Sequence, residues 1–483
     1  MKRLMALAML ICFAFGAVAA QAETEVKMSG DARIYANFWS QYNYTGWDAL
    51  GKQTYDSATV WERFRLKTDF IANEGLKFRL AIRVNDTPWG NSTFTVDNPA
   101  VTIQVYQAFL QFKWPNTDVQ FTVGMQDMDL PLSVDWLGAN PVLGGTRSAA
   151  AVFDIPVVDQ LKVVGGFSRL VDGNKNGFGN NTNQTSPDLD AYFLTLPITL
   201  DGFQATPWGM VAVAGRNAPY ATTYMGNGGP NTNETLASNL FSLGTSVAPG
   251  LQNSENTFWW VGTTMTVTAL DPFKFYADIM YGSGMGAEHQ KDHRSGWFGD
   301  VAAEYTGLDM VTPQLTFWYG SGEDGGIRGG SHRMPSVVNY WGPSNSFLFD
   351  TNQEFNYGQM PTNSAGSWGA VFALDKISFI KDLTHRLTFS YARGTNSPNS
   401  MREANLLTGV GSYVMMGRDL TFNEYSLGIN FDNTYDIYEN LALILETGWA
   451  HGDFQKSVWG RRFVNQANDG DAWKAAIGLK YKF

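Results

Sequence analysis

Arg63, Arg65, Arg79 and Arg83 are the residues whose type and spacing most plainly imply chemistry. Set two apart in one pair and four apart in the other, they fall on one face of an extended chain, because side chains of a strand alternate. A guanidinium stays protonated at any physiological pH, so such a ladder does no acid–base work. It argues for anions, against the mild cation preference that the chain's net acidity suggests. Asp127, Asp129 and Asp135 gather in a later segment and supply the opposite charge. Two such rows facing each other across water would orient dipolar solutes in a transverse field, and the charges of the narrowest ring would set ion preference. The bland alternative is that charge on a polar strand face is simply solvated, or pairs locally for packing.

Other groupings are weaker. Glu288-His289-Gln290-Lys291-Asp292-His293 places two histidines four apart, a chelating pair if helical. In a loop, two solvated histidines are the plainer reading of His289 and His293. Gly282-Ser283-Gly284-Met285-Gly286 lacks the spacing and the helix of a nucleotide loop and reads as a flexible rim. Five histidines and no serine-centred elbow assemble no nucleophilic triad, so no enzyme activity is expected. Glu323 and Asp324 are candidates for a structural calcium on an outer loop, and no other cofactor is expected.

The arginines must be positioned by the elements that carry them. Phe64, Leu66, Thr68 and Phe70 alternate with Arg63, Arg65, Lys67 and Asp69. After Asn73-Glu74-Gly75, Phe78, Leu80, Ile82 and Val84 alternate with Lys77, Arg79, Ala81 and Arg83. This is a hairpin with one oily and one basic face.

The start of the chain and its composition choose the environment of that oily face. Lys2 and Arg3, an apolar run from Leu4 to Phe15 and Ala20-Gln21-Ala22 before Glu23 read as a cleaved signal peptide over residues 1–22, with cleavage after Ala19 as the close alternative. Cys12, the only cysteine, lies inside it, so the exported chain is expected to have no disulfide. Without Lys2 and Arg3, the 34 basic and 45 acidic residues become 32 and 45, a net charge of −13 that argues against nucleic acid as a partner. No later apolar stretch is long enough to span a bilayer as a helix. The chain is nevertheless 14% aromatic, rich in glycine and only 16% charged. An exported chain of that kind, written in alternating strands, is expected to close into a transmembrane antiparallel β-barrel in the outer membrane of a Gram-negative bacterium.

In order, strands are expected at Val26–Phe38, the basic hairpin, Tyr106–Trp114 and Val119–Met125. They continue at 147–154, 160–171, 188–196, 205–216, 257–268, 273–283, 297–305, 314–321, 366–374, 386–394, 422–431, 441–451 and 472–483. That makes eighteen, with sixteen possible because 376–385 and the strand near Arg147 are hard to place. Connections alternate between short and long, as short periplasmic turns and long extracellular loops do. Trp114, Trp259, Trp297, Trp449 and Tyr481 fall at strand ends, where aromatic girdles sit.

Parity then assigns the lumen of this single-domain barrel (residues 23–483). Lys27, Arg33, Arg63, Arg65, Lys67, Lys77, Arg79, Arg83 and Lys113, with Lys474, Lys480 and Lys482 of the neighbouring last strand, form a basic wall. Asp278, Asp300, Glu304, Glu424 and Glu446 form an acidic one opposite. The segment from Asp127 to Thr146 is the third long loop, and Pro131, Pro141, Gly144 and Gly145 suit a compact fold.

The opening Val26-Lys27-Met28-Ser29-Gly30-Asp31-Ala32-Arg33, the basic strands and the ending Ile477-Gly478-Leu479-Lys480-Tyr481-Lys482-Phe483 resemble the general homotrimeric outer-membrane porins, and within them the porins of sulphate-reducing bacteria. The resemblance implies a trimer in contact with lipopolysaccharide and passive diffusion of small hydrophilic solutes. It also implies a third loop folded into the pore, with its carboxylates facing the arginines, and handling by the barrel-assembly machinery through the strand ending in Phe483. The acidic Pro-Glu-Phe-Gly-Gly motif of enterobacterial porins is missing. One rival is a substrate-selective channel for sugars or organic anions. Its lumen aromatics, Tyr35, Phe109, Phe193, Trp260, Tyr276 and Trp318, are scattered over distant strands. The other rival is an outer-membrane barrel enzyme, for which no catalytic set stands out.

Overall fold

The computed structural model describes residues 24–41, 44, 56–90, 95–98, 100–172, 188–215, 218, 236–243, 255–285, 293–327, 329–349, 353–355, 360, 362–407, 414–468 and 471–483. The expected signal peptide and His289 lie outside the described residues. The strands are β1 (Glu25–Ser40), β2 (Ser57–Asn73), β3 (Leu76–Pro88), β4 (Gln104–Lys113), β5 (Gln120–Met128), β6 (Thr146–Val158), β7 (Leu161–Val171), β8 (Leu189–Thr195), β9 (Ile198–Leu200) and β10 (Phe203–Ala214). They continue with β11 (Asn256–Leu270), β12 (Phe273–Met285), β13 (Arg294–Tyr305), β14 (Thr312–Gly320), β15 (Ser367–Ile380), β16 (Leu383–Gly394), β17 (Tyr425–Tyr438), β18 (Leu441–Asp453) and β19 (Ala472–Lys482).

Neighbouring strands pair antiparallel in chain order, and β19 returns to β1 from Asp31↔Lys482 to Ser40↔Trp473, which closes the sheet. β8 and β9 both pair with β10 and are two parts of one stave, interrupted at Pro197, which has no N–H to give the ladder. The barrel therefore has eighteen staves. The stretch 376–385 that resists sequence placement is the paired end of β15 and β16, where register shifts after Leu374 and after Ile377 spoil the alternation.

Closure depends on the chain end. Gly30 N–H donates to the Phe483 carbonyl at 2.9 Å and Phe483 N–H to the Gly30 carbonyl at 3.1 Å. A Cβ on Gly30 would lie 2.2 Å from the Arg65 carbonyl and 2.6 Å from the Phe483 ring, so only glycine lets that ring lie across the seam. Connections at 74–75, 114–119, 159–160, 201–202, 271–272, 306–311, 381–382 and 439–440 are all short and share one rim, while the other rim carries the long ones.

Alternation in the sequence becomes alternation in exposure. On β14, Thr312, Gln314, Thr316 and Trp318 are buried while Leu315, Phe317 and Tyr319 are exposed. An apolar belt around a closed barrel has only hydrocarbon as a favourable surrounding. The inside is asymmetric. Inward side chains of β10 to β19 are largely buried, whereas along β2 and β3 only Thr68 and Ala81 are. Protein fills the lumen against one wall and water reaches the other.

Candidate functional site

Two loops supply the part of the filling that borders the site, while Leu240, Phe241, Met401, Leu420 and Trp459 of other segments are buried in the same core. Segment 129–145, between β5 and β6, crosses to the wall made by β11 and β12. There Ser133 donates to Asp278 through its N–H at 3.0 Å and its hydroxyl at 2.5 Å, and Thr266 donates to the Ser133 carbonyl at 2.9 Å. Trp136 meets Tyr276 edge to face, centroids 5.7 Å apart. Asn140 staples the loop internally, giving its amide to the Pro131 carbonyl at 2.7 Å and taking the Val142 N–H at 2.8 Å. Gly145 sits at φ +63, and a Cβ on Gly144 would strike Ala139 and Asn140, so the glycine pair is what lets the loop turn back.

A second segment, described at 336–349 and 353–355, folds in beside the first. Gly342 N–H donates to the Leu137 carbonyl at 2.9 Å and Ser344 N–H to the Trp136 carbonyl at 2.7 Å, so the two loops form one body. Trp341 packs among Phe298, Trp318 and Phe349 and donates its indole N–H to Asp300 at 2.8 Å. Phe347 lies over Gly448, and Glu446 accepts the N–H groups of Glu354 and Phe355 at 2.6 and 3.1 Å. Phe355 stacks on Tyr35 at 4.4 Å. Sequence reasoning missed this second plug; its signal was Trp341, Phe347, Phe349 and Phe355, apolar rings that a solvated loop does not need.

The expected acidic wall therefore does not face open water. Asp278, Asp300 and Glu446 are buried under the loops and hold them, Glu304 is buried beside Tyr276, and Glu424 lies before β17, accepting N–H groups of Gln455 and Trp459.

What remains open runs along the basic wall. A cavity of about 300 Å³ is lined by Arg33, Tyr35, Trp61, Arg63, Arg65, Arg83, Asn85, Asp86, Asp127, Asp129, Gly145, Thr146 and Arg147. Arg33 forks onto Asp86 at 2.9 and 2.6 Å and also contacts Glu354. Arg63 and Arg65 share Asp31 at 2.9 and 2.6 Å, and Arg147 pairs with Asp127 at 2.7 Å. Arg83 is different. Its Nε donates to Gln104 at 3.3 Å and its guanidinium lies over the Tyr106 ring at 5.5 Å, but among the described residues it has no carboxylate partner. Glu354 bonds Lys480 on the rim of this site; burial alone would raise its pKa, but Lys480, Arg33 and Arg63 outweigh burial and hold the carboxyl below the usual range.

The structure thus brings together Arg63, Arg65, Arg83, Asp127 and Asp129, with Asp127 on β5 rather than in the loop and Asp129 accepting the Thr146 N–H at 3.3 Å. Arg79 stands apart, bound by both arms to Asp69 at 2.6 Å and lying over Phe109. Asp135 does not join them either; it opens the turn Asp135–Leu137 that carries Trp136 to the far wall. Arg33 and Arg147 belong to the site though sequence reasoning did not place them there. Arg33 was within reach, since β1 and β2 put it directly opposite Arg63. Tyr106 shares its parity with Leu110 and Phe112 of the outer face, yet it is only 4% exposed beneath Arg83 and Arg147, because a bulge opposite Ala81 and Ile82 breaks the parity of β4.

Of the weak candidates, His293 meets the Ser283 hydroxyl at 3.2 Å, Glu323 is buried and Asp324 pairs with His332 at 2.8 Å. Among the described residues no group of three His, Cys, Asp or Glu converges on one point.

The sequence matches no protein-family model and no curated protein. Among solved structures it is similar to OccK11 (OpdR) of Pseudomonas aeruginosa, with TM-score 0.52 and 9% identity over 95% of this chain and 96% of that one. It is likewise similar to the outer membrane protein OprD of Pseudomonas aeruginosa, with TM-score 0.51 and 11% identity over 96% of each chain. For OccD3 (OpdP) of the same organism the TM-score is 0.50, with 11% identity over 96% of this chain and 93% of that one. At such identities the likeness is one of fold, and it extends over the whole barrel.

Proposed function

We propose that the protein is a channel of the Gram-negative outer membrane through which small hydrophilic solutes diffuse, and that its passage favours anions. The observation that carries this reading is the Arg83 guanidinium, without a carboxylate partner among the described residues, in a cavity where five arginines face three aspartates. An ion or carboxylate solute passing there meets a guanidinium that makes no ion pair among the described residues and lies over the Tyr106 ring.

A broad general porin and a solute-selective channel differ in how much lumen stays open. The two packed loops, and the rings of Tyr35 and Trp61 beside guanidinium forks, support the second, with organic anions as its solutes. Trimerisation, contact with lipopolysaccharide and assembly through the strand ending at Phe483 come from the porin resemblance and belong to this proposal. Planar-bilayer recording of the detergent-extracted protein in a salt gradient tests it. An anion-selective reversal potential with saturable block by carboxylate solutes is expected; cation selectivity without block would overturn it.

A further inference from the structure

Beside the charged cavity lies a second one that the anion passage leaves unused. It has a volume of about 350 Å³ and shares Arg83, Gly145, Thr146 and Arg147 with the first, so the two meet at a pair of guanidinium groups. Beyond that pair the lining turns apolar, with Leu143, Leu170, Val337 and Val338 beside the ring of Tyr340. Leu143 and Val337 are 2% and 1% exposed, and a β-bridge joins Leu143 to Val338 across the two in-folded loops. The apolar wall is therefore part of the packed loop body.

Two of the polar groups in this second cavity are already engaged. The Ser148 hydroxyl is bonded to that of Ser168 at 2.6 Å, and the Thr146 hydroxyl donates to the Met128 carbonyl. Arg147 pairs with Asp127 at 2.7 Å, whereas Arg83 makes no ion pair among the described residues. Tyr106 lies beneath both, its ring centroid 5.5 Å from the Arg83 guanidinium and 5.0 Å from that of Arg147. It is 4% exposed, and among the described residues its hydroxyl has no hydrogen-bond partner. A buried hydroxyl without an acceptor is costly, and a carboxylate oxygen is an acceptor that suits it and the guanidinium groups alike.

We propose that this junction binds aliphatic monocarboxylates, with the carboxylate held by Arg83, Arg147 and the Tyr106 hydroxyl and the hydrocarbon chain lying among Leu143, Leu170, Val337 and Val338. One guanidinium without an ion pair balances one negative charge. A second carboxylate at the far end of the solute would be buried among aliphatic side chains with no cation beside it. A sugar would set its hydroxyls against the same aliphatic wall, where they would lose water and gain no partner. The site deepens the anion passage proposed above and rests on that reading, but its test reads binding rather than conduction.

Sodium acetate, butyrate and hexanoate are titrated at about pH 7, where all three are ionised, into the detergent-solubilised protein. Affinity is read from the NMR line broadening of the carboxylate's own protons, with detergent alone as the blank. Each methylene that leaves water should tighten binding about two- to fourfold, which makes about tenfold or more from acetate to hexanoate. Val338→Ser and, separately, Leu170→Ser should cut that gain by about threefold. Tyr106→Phe keeps the ring, loses the hydroxyl and should weaken hexanoate by about fivefold. Hexanoate binding no tighter than acetate, a gain that survives whole in both serine variants, or an unaltered hexanoate affinity in Tyr106→Phe would overturn the site. An anion-selective reversal potential without the chain-length gain would sink this site and spare the channel, whereas the gain without anion selectivity would do the reverse.

Discussion

Replacing Arg83 with glutamine keeps length and polarity and removes the one guanidinium of the cavity that, among the described residues, makes no ion pair. A unit charge about 5 Å from an ion in a water-lined passage contributes about 0.8 kcal/mol. Salt at about 0.1 M screens this to about 0.5 kcal/mol. That is about a twofold loss in anion occupancy and a similar gain for cations, so the anion-to-cation permeability ratio should fall about fivefold. The reversal potential of reconstituted protein in a potassium chloride gradient reads this ratio directly. Arg83→Lys retains the charge while giving up the planar fork over Tyr106, and should stay near the wild-type value. An unchanged reversal potential in R83Q, or an equal shift in R83K, would remove Arg83 from the conduction path.

Three further outcomes follow from the packing. Gly30→Ala forces a Cβ to within 2.2 Å of the Arg65 carbonyl at the barrel seam and should destabilise by about 1–3 kcal/mol, read as a lower temperature for loss of the compact band on unheated gels. Glu446→Ala strips the acceptor from the Glu354 and Phe355 N–H groups and leaves the buried Lys474 without its carboxylate at 3.5 Å; a cost of about 3–5 kcal/mol and a larger, noisier single-channel conductance are expected. The Glu354 carboxyl is depressed in the folded protein, so its stabilisation is fully present above the usual glutamate value of 4.5 and is lost as pH falls through the lower folded value. Current should therefore hold steady on mild acidification and change only in stronger acid, and Glu354→Gln should abolish that acid step.

The fold was legible because each stave repeats one rule. Phe64 to Phe70 and Ile477 to Phe483 alternate without interruption, and β2 and β19 lie where that alternation puts them. Parity failed only where the ladder slips: Tyr106 turned inward at a bulge, and 376–385 hid a strand end. The site was half legible. Arg63, Arg65 and Arg83 share a face by spacing alone, but whether a guanidinium is free or spent depends on partners distant in sequence. Asp86 takes Arg33 from 53 residues away, while Asp69, ten residues from Arg79, neutralises it. Asp278, Asp300 and Glu446 of the expected acidic wall lie instead beneath a loop body whose path is fixed by Trp136, Trp341 and Phe355, contacts that no local pattern encodes.

The central claim is that water follows the arginine wall, that lipid covers the other face of the same strands, and that loops fill the far side. Single cysteines at Asn85, Ile82 and Thr316, each exposed to a charged, water-soluble methanethiosulfonate during bilayer recording, test it most directly. Asn85 lines the cavity, Ile82 belongs to the outward row of β3 and Thr316 is fully buried under the loops. A stepwise fall in current at Asn85→Cys, with Ile82→Cys and Thr316→Cys silent, is the predicted result. A silent Asn85→Cys together with a reactive Thr316→Cys or Ile82→Cys would contradict the account.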